Sequence, residues 1–128
     1  MRAIRSRGTA PELLVRRILR ELGFRYRLHR RDLPGTPDAV IGRLRVAFFV
    51  HGCFWHRHDC PNGRATPATR REFWRAKFLA NLRRDRKVRR RLERQRWRVI
   101  VIWECEVAAD RISRTRDRLR RELNRGPV

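Results

Sequence analysis

The sequence predicts a compact α/β domain, and three observations carry that prediction. Two continuous apolar runs, Val46-Ala47-Phe48-Phe49-Val50 and Val99-Ile100-Val101-Ile102, have the composition of strands buried on both faces. Apolar residues at helical spacing occur before, between and after them. The chain has 128 residues, enough for one domain with one modest core.

Each element has its own signal. Thr9-Ala10-Pro11-Glu12 reads as a capping box with proline in the first turn. Leu14, Val15, Ile18, Leu19 and Leu22 then recur at helical spacing, and Gly23 is the natural stop, so a helix is expected over 10–22. Phe24, Tyr26 and Leu28 alternate with Arg25, Arg27 and His29, as in a half-buried strand. Residues 32–37 form a turn, residues 38–41 a short strand, and Gly42-Arg43 turns the chain into strand 46–50, which makes a hairpin. Residues 51–68 have no helical period and read as a loop rich in His, Cys and aromatics. Thr69-Arg70-Arg71-Glu72 reads as a second capping box, opening a helix over roughly 70–95 with Phe73, Phe78, Leu82, Val88 and Leu92 inward. Residues 98–103 are a second buried strand, and 107–123 a last helix with Ile112, Leu119 and Leu123 inward and its arginines outward. Trp97 and Trp103 are assigned to the core.

Charge narrows the function classes. There are 35 Lys+Arg against 13 Asp+Glu, a formal net charge of +22. Such a surface repels itself unless it meets a polyanion, so nucleic acid is the expected partner. Only Lys77 and Lys87 are lysines. The planar fork of arginine suits phosphate and guanine, while a GC-rich genome would favour Arg codons equally; neither changes the sign of the charge. No apolar run is long enough to span a membrane, and the polar opening Met1-Arg2-Ala3-Ile4-Arg5 is not that of a signal peptide. Three cysteines without a secretory signal argue against a disulfide framework.

The cysteines share a pattern. Cys53, His58 and Cys60 read C-x4-H-x-C, and Cys105 follows the last strand after 44 intervening residues. Three sulfurs and one imidazole are a common closed set for tetrahedral Zn²⁺, which would staple a loop that has no core of its own. The alternative is three cysteines packed as small hydrophobes. With no open position, such an ion would be structural.

A second constellation points to phosphodiester chemistry. Asp38 opens a strand beside one that ends at His51. Hydrolytic nucleases place a carboxylate there to hold Mg²⁺, which polarises phosphate and acidifies water. Taken singly, Asp38 fits an ordinary Pro-Asp turn, Glu12 a capping residue, and His51 and His56 surface histidines. Together the two carboxylates and two histidines offer a metal site and a general base. Phe54, Trp55 and Trp74 lie among Arg57, Arg64, Arg70, Arg71 and Arg75. There they can stack on bases or wedge between them, or serve as core.

The segments Met1-Arg2-Ala3-Ile4, Leu33-Pro34-Gly35-Thr36-Pro37-Asp38, His51-Gly52-Cys53-Phe54-Trp55-His56, Pro67-Ala68-Thr69, Glu72-Phe73-Trp74, Trp97-Arg98-Val99 and Trp103-Glu104-Cys105 carry a resemblance that runs nearly the whole chain. The sequence resembles the very short patch repair (Vsr) DNA mismatch endonucleases. The resemblance implies a restriction-endonuclease-like fold of the PD-(D/E)xK type, a mixed central sheet flanked by helices, with a structural zinc site, in one domain over 1–128. It implies a Mg²⁺-dependent, strand-specific nick 5′ of the thymine in a T·G mismatch left by deamination of 5-methylcytosine. By position, Asp38 matches the Mg²⁺-binding aspartate, His56 the histidine that activates water, and Glu12 and His51 supporting residues. Cys53, His58, Cys60 and Cys105 match the zinc ligands, and Phe54, Trp55 and Trp74 the intercalating wedge, with Arg57, Arg70 and Arg71 beside it on DNA. Val50 stands where the family often has Thr, and is expected to serve the Mg²⁺ through its backbone carbonyl. Phe49-Val50-His51 replaces the carboxylate-x-Lys of related nucleases, and family members commonly carry an arm before Met-Arg-Ala-Ile. A monomeric bacterial protein of the cytoplasm, associated with the nucleoid and handing its nick to mismatch-repair proteins and a repair polymerase, is expected. Two competing readings are a non-catalytic zinc-dependent DNA-binding module and a nuclease that cuts fully paired duplex.

Overall fold

The computed structural model describes residues 8–124. Met1-Arg2-Ala3-Ile4, which carries part of the resemblance, lies outside them.

Helix α1 spans Ala10–Glu21. Thr9 caps it, its hydroxyl accepting from the Glu12 amide at 3.4 Å, and the Glu12 carboxylate reaches back to the Gly8 amide at 2.8 Å. The helix stops as expected at Gly23, whose φ of +86° is the left-handed conformation such an end requires. The Gly23 amide bonds Arg20 O and the Phe24 amide bonds Leu19 O, both at 3.0 Å, the paired bonds of a Schellman motif.

The sheet has four strands in the order β1 (Arg27–Leu28), β2 (Ala39–Ile41), β3 (Val46–His51) and β4 (Arg98–Trp103). The first two pairings are antiparallel, and β3 runs parallel to β4 in register from Val46↔Arg98 to His51↔Trp103. Parallel neighbours need a crossover, and it is supplied by helix α4, Arg71–Arg94. Alternation along the strands divides the core. Ala39, Ile41, Val46, Phe48, Ile100 and Ile102 face α1 and the C-terminal helix α5, Ile112–Leu123. Val40, Ala47 and Val99 face Leu92 near the end of α4 and Trp97 just beyond it. Both faces are covered, which is why the strands read as unbroken apolar runs. The chain is a mixed α/β fold with a four-stranded mixed sheet between helices.

Several expectations are corrected. The first strand shrinks to two residues because pairing with β2 reaches only Arg27 and Leu28 and the chain turns left-handed at His29, φ +48°; Leu28 is left exposed, while Phe24 and Tyr26 still pack on the core. The segment 51–68 holds two short helices, α2 (Cys53–His56) and α3 (Pro61–Arg64), too short to show a period. The second capping box does not form. Arg70 takes the N-cap position at φ +54° with no side-chain cap. Phe73 consequently points outward, 44% exposed, with the Arg70 guanidinium over its ring. Trp103 is half-buried rather than core, because it ends β4 and meets the histidines described below. The last helix starts at Ile112, after a 3₁₀ turn at Glu104–Val107. Two of its arginines turn inward: Arg118 pairs with Glu106 at 2.9 Å, and Arg116 with Glu21 of α1 at 2.8 Å.

Phe48 lies at the centre of the larger cluster with no exposed surface. Phe48→Ala should cost about 3–5 kcal/mol, read as a lower urea midpoint at unchanged slope.

Candidate active site

One end of the sheet gathers most of the chemistry. The Asp38 amide bonds Phe48 O at 2.9 Å, which fixes the start of β2 against β3. One residue pair further, the Val50 amide donates to Asp38 Oδ2 at 2.7 Å instead of to backbone. A strand residue directs its N–H and C=O to the same side, so the Val50 carbonyl also faces the Asp38 end of β2. Glu12 arrives from α1 with its side chain only 6% exposed. Burial, more than any other influence, pushes the Asp38 carboxyl up to about 6; the Val50 N–H opposes this and the Glu12 charge adds to it. His29 closes the group. Its Nε2 lies 3.4 Å from Glu12 Oε2, and the donor atoms of Glu12, His29 and Asp38 lie within 4.8 Å of one another.

A second group stands beside it. His51 and His56 stack face to face, with centroids 3.8 Å apart and planes 5° apart. His56 Nδ1 lies 2.6 Å from Asp85 Oδ2. A carboxylate only accepts, so Nδ1 carries the proton of a neutral His56 and Nε2 keeps its lone pair. Burial first, and the neighbouring His56 second, depress His51 to about 4, so it is neutral at pH 7. One open cleft of about 1340 Å³ is lined by Glu12, His29, Asp38, His51, His56 and Asp85.

The four sulfur and nitrogen donors also converge. Cys53, His58, Cys60 and Cys105 bring their donor atoms within 4.8 Å of one another. His58 Nδ1 lies 3.7 Å from Cys53 Sγ and 3.4 Å from Cys105 Sγ. A tetrahedron with a metal–sulfur bond of about 2.3 Å and a metal–nitrogen bond of about 2.0–2.1 Å has an edge of about 3.5 Å, so the cage fits such an ion. Burial pushes the Cys53 thiol up to about 12, a cost that a bound cation offsets. The Gly63 amide donates to Cys60 Sγ at 3.3 Å, which helps hold that thiol below its usual range. A Cβ on Gly63 would sit 1.9 Å from the His58 carbonyl oxygen, so only glycine lets α3 close on the loop. Glu104 adds a tether: its Oε1 accepts from the Cys53 amide at 2.9 Å and from Asn62 at 3.3 Å. Trp103 stacks on His58 at 4.3 Å and meets His51 edge-on at 5.2 Å, joining cage to cleft.

The structure brings Phe54, Trp55 and Trp74 together, each half-buried, on the buried ring of Phe78. Asn81 of α4 donates to Trp55 O at 3.1 Å and holds α2 in place. Arg57 lies over Phe78 and donates to the carbonyls of Arg64 and Ala65, so much of its fork is engaged in bracing the loop. Arg70 and Arg71 remain exposed. Sequence reasoning missed His29 and Asp85. The available signal for Asp85 was a lone acid inside Arg83-Arg84-Asp85-Arg86-Lys87.

The Asp38 carboxylate costs stability when ionised, since its folded value of about 6 lies above that of an unfolded Asp. Asp38→Asn keeps an acceptor for Val50 and removes the charge. It should stabilise the protein by about 1–3 kcal/mol at pH 7.5 without added Mg²⁺, and by almost nothing at pH 4, where Asp38 is protonated. Urea unfolding at the two pH values reads the difference.

Comparison with known proteins agrees with this picture. The family model for the DNA mismatch endonuclease Vsr matches residues 1–62. A type II nicking enzyme, V.XorIIP of Xanthomonas oryzae pv. oryzae, is 47% identical over 108 residues, covering 84% of this chain and 79% of that one. Another, V.NmeAIP of Neisseria meningitidis serogroup A, is 42% identical over 96% of this chain and 88% of its own length. The DNA mismatch endonuclease Vsr of Escherichia coli K12 is 45% identical over 105 residues, 82% of this chain and 67% of that one. With identity this high over most of both chains, the protein belongs to the Vsr family of DNA mismatch endonucleases.

Proposed function

We propose that the protein is an endonuclease that nicks one strand of DNA 5′ of the thymine in a T·G mismatch and so starts very short patch repair. The observation that carries this reading is the meeting, in one cleft, of the Glu12–Asp38 carboxylates with the His56–Asp85 pair. The relatives, known as nicking enzymes and a mismatch endonuclease, support it. In this reading the whole chain is one restriction-endonuclease-like domain acting as a monomer in the bacterial cytoplasm, and later repair proteins take over the nick. No helix among the described residues is long and apolar enough to cross a membrane.

Asp38 and the Val50 carbonyl are the residues that would hold Mg²⁺, with Glu12 behind them. Bound there, Mg²⁺ supplies charge neutralisation at the scissile phosphate and a more acidic water. His56 Nε2 takes the proton of the attacking water as its oxygen bonds to phosphorus. The P–O3′ bond breaks, the departing O3′ takes a proton from solvent water in the open cleft, and a 3′-hydroxyl and a 5′-phosphate remain. Asp85 fixes the tautomer and stabilises the imidazolium that forms. Neutral His51 places no second positive charge against His56. Phe54, Trp55 and Trp74 open the stack where pairing is weakest, and Arg70 and Arg71 meet phosphates. Cys53, His58, Cys60 and Cys105 are the residues that would hold a structural Zn²⁺, which would fix the segment that carries Phe54, Trp55 and His56.

A panel of T·G duplexes with varied flanks, with and without Mg²⁺, tests the reading. Nicking should need Mg²⁺ and fall sharply on the matched duplex; equal cutting of both would favour a nuclease for paired DNA. Asp38→Ala should abolish nicking and retain DNA binding. Asp85→Asn should lower kcat by about 10²–10⁴-fold, because the general base His56 loses the carboxylate that sets its tautomer. Cys105→Ser should lower the zinc content from one ion per chain, measured by atomic absorption, and lower Tm in the same preparation.

A further inference from the structure

We propose that His29 supplies a third ligand, through Nε2, to the cation site of Asp38 and Glu12, and that this nitrogen makes the site favour Mn²⁺ over Mg²⁺. The inference rests on the reading of Asp38 as a cation ligand and adds a donor that the sequence did not suggest.

His29 Nε2 is buried and makes no hydrogen bond. It lies 3.4 Å from Glu12 Oε2, a contact that lacks hydrogen-bond geometry. The ring reaches this place only because the chain turns left-handed at His29, φ +48°, an uncommon conformation for a residue other than glycine. The turn is held by the His29 amide, which donates to the Asp38 carbonyl at 3.3 Å, so histidine and aspartate are located by one backbone contact. Glu12 is braced from its other side by the Gly8 amide at 2.8 Å and by Arg16 at 3.5 Å. The result is two carboxylates and an imidazole nitrogen around one point, their donor atoms within 4.8 Å of one another.

The donor types decide which ion suits the site. Mg²⁺ prefers six oxygens in a near-ideal octahedron and gives up water reluctantly. Mn²⁺ and its later neighbours accept imidazole nitrogen readily and bind mixed nitrogen–oxygen sites more tightly.

Mn²⁺ titration of the zinc-loaded full chain, without DNA, reads the proposal. Free Mn²⁺ is followed by electron paramagnetic resonance, and Mg²⁺ affinity by competition. Wild-type protein should bind Mn²⁺ at least tenfold more tightly than Mg²⁺, and pulsed resonance should show ¹⁴N coupling to the bound ion. His29→Asn, chosen because asparagine tolerates the left-handed turn, should lose about tenfold in Mn²⁺ affinity, little in Mg²⁺ affinity, and the ¹⁴N coupling. His56→Ala should keep that coupling. Absence of ¹⁴N coupling in the wild type overturns the proposal whether or not any variant folds. So does coupling or Mn²⁺ affinity that survives His29→Asn. If Asp38→Asn binds both cations as well as wild type, the Asp38 reading itself fails; if it loses both while His29→Asn changes neither, only the His29 assignment fails.

Discussion

The convergence of Cys53, His58, Cys60 and Cys105 is the constraint on which the site depends. Three of these residues lie in the short segment that carries α2 and the start of α3, and the fourth just beyond β4. Between Cys53 and His58 sit Phe54, Trp55 and His56, so the cage places an aromatic pair and the candidate-site histidine at once. The Glu104 carboxylate repeats the tie from the residue beside Cys105. Beyond the cage, that segment is held by Asn81, Arg57 and the ring of Phe78. A segment with so little buried apolar surface would otherwise sample many conformations.

Elements with a strong local signal were legible in the sequence. Helix α1 carries its cap, its period and its stop within a few residues of one another. The strands β3 and β4 announce themselves as apolar runs because helices cover both faces. The four sulfur and nitrogen donors were legible because their spacing is itself chemical information. What failed was local pattern without local cause. Thr69-Arg70-Arg71-Glu72 has the letters of a capping box, yet the chain enters α4 through a left-handed Arg70. The alternation at Phe24, Tyr26 and Leu28 gave a strand, but sheet pairing reaches only Arg27 and Leu28.

The candidate site divides the same way. Asp38, Glu12, His51 and His56 stand in recognisable motifs. Asp85 and His29 do not, because proximity rather than sequence brings them in. Asp85 is nearly thirty positions beyond its partner in the chain and reaches His56 only because α4 crosses over the sheet. His29 sits in an arginine-rich turn that resembles surface. The basic charge also proved less uniform than composition suggests. Arg45, Arg116 and Arg118 close contacts within the fold, through carbonyls, carboxylates and the Trp97 ring. The exposed remainder supplies long-range attraction to DNA.

Helix α4 has a consequence of its own. Trp74 and Asp85 ride on one uninterrupted helix, eleven residues apart. At about 1.5 Å per residue that is roughly 16 Å of rigid rod. In the proposed reading, the group that senses the lesion and the group that orients the base are two marks on one ruler. The wedge and the base therefore keep one register, and any displacement of α4 moves both together.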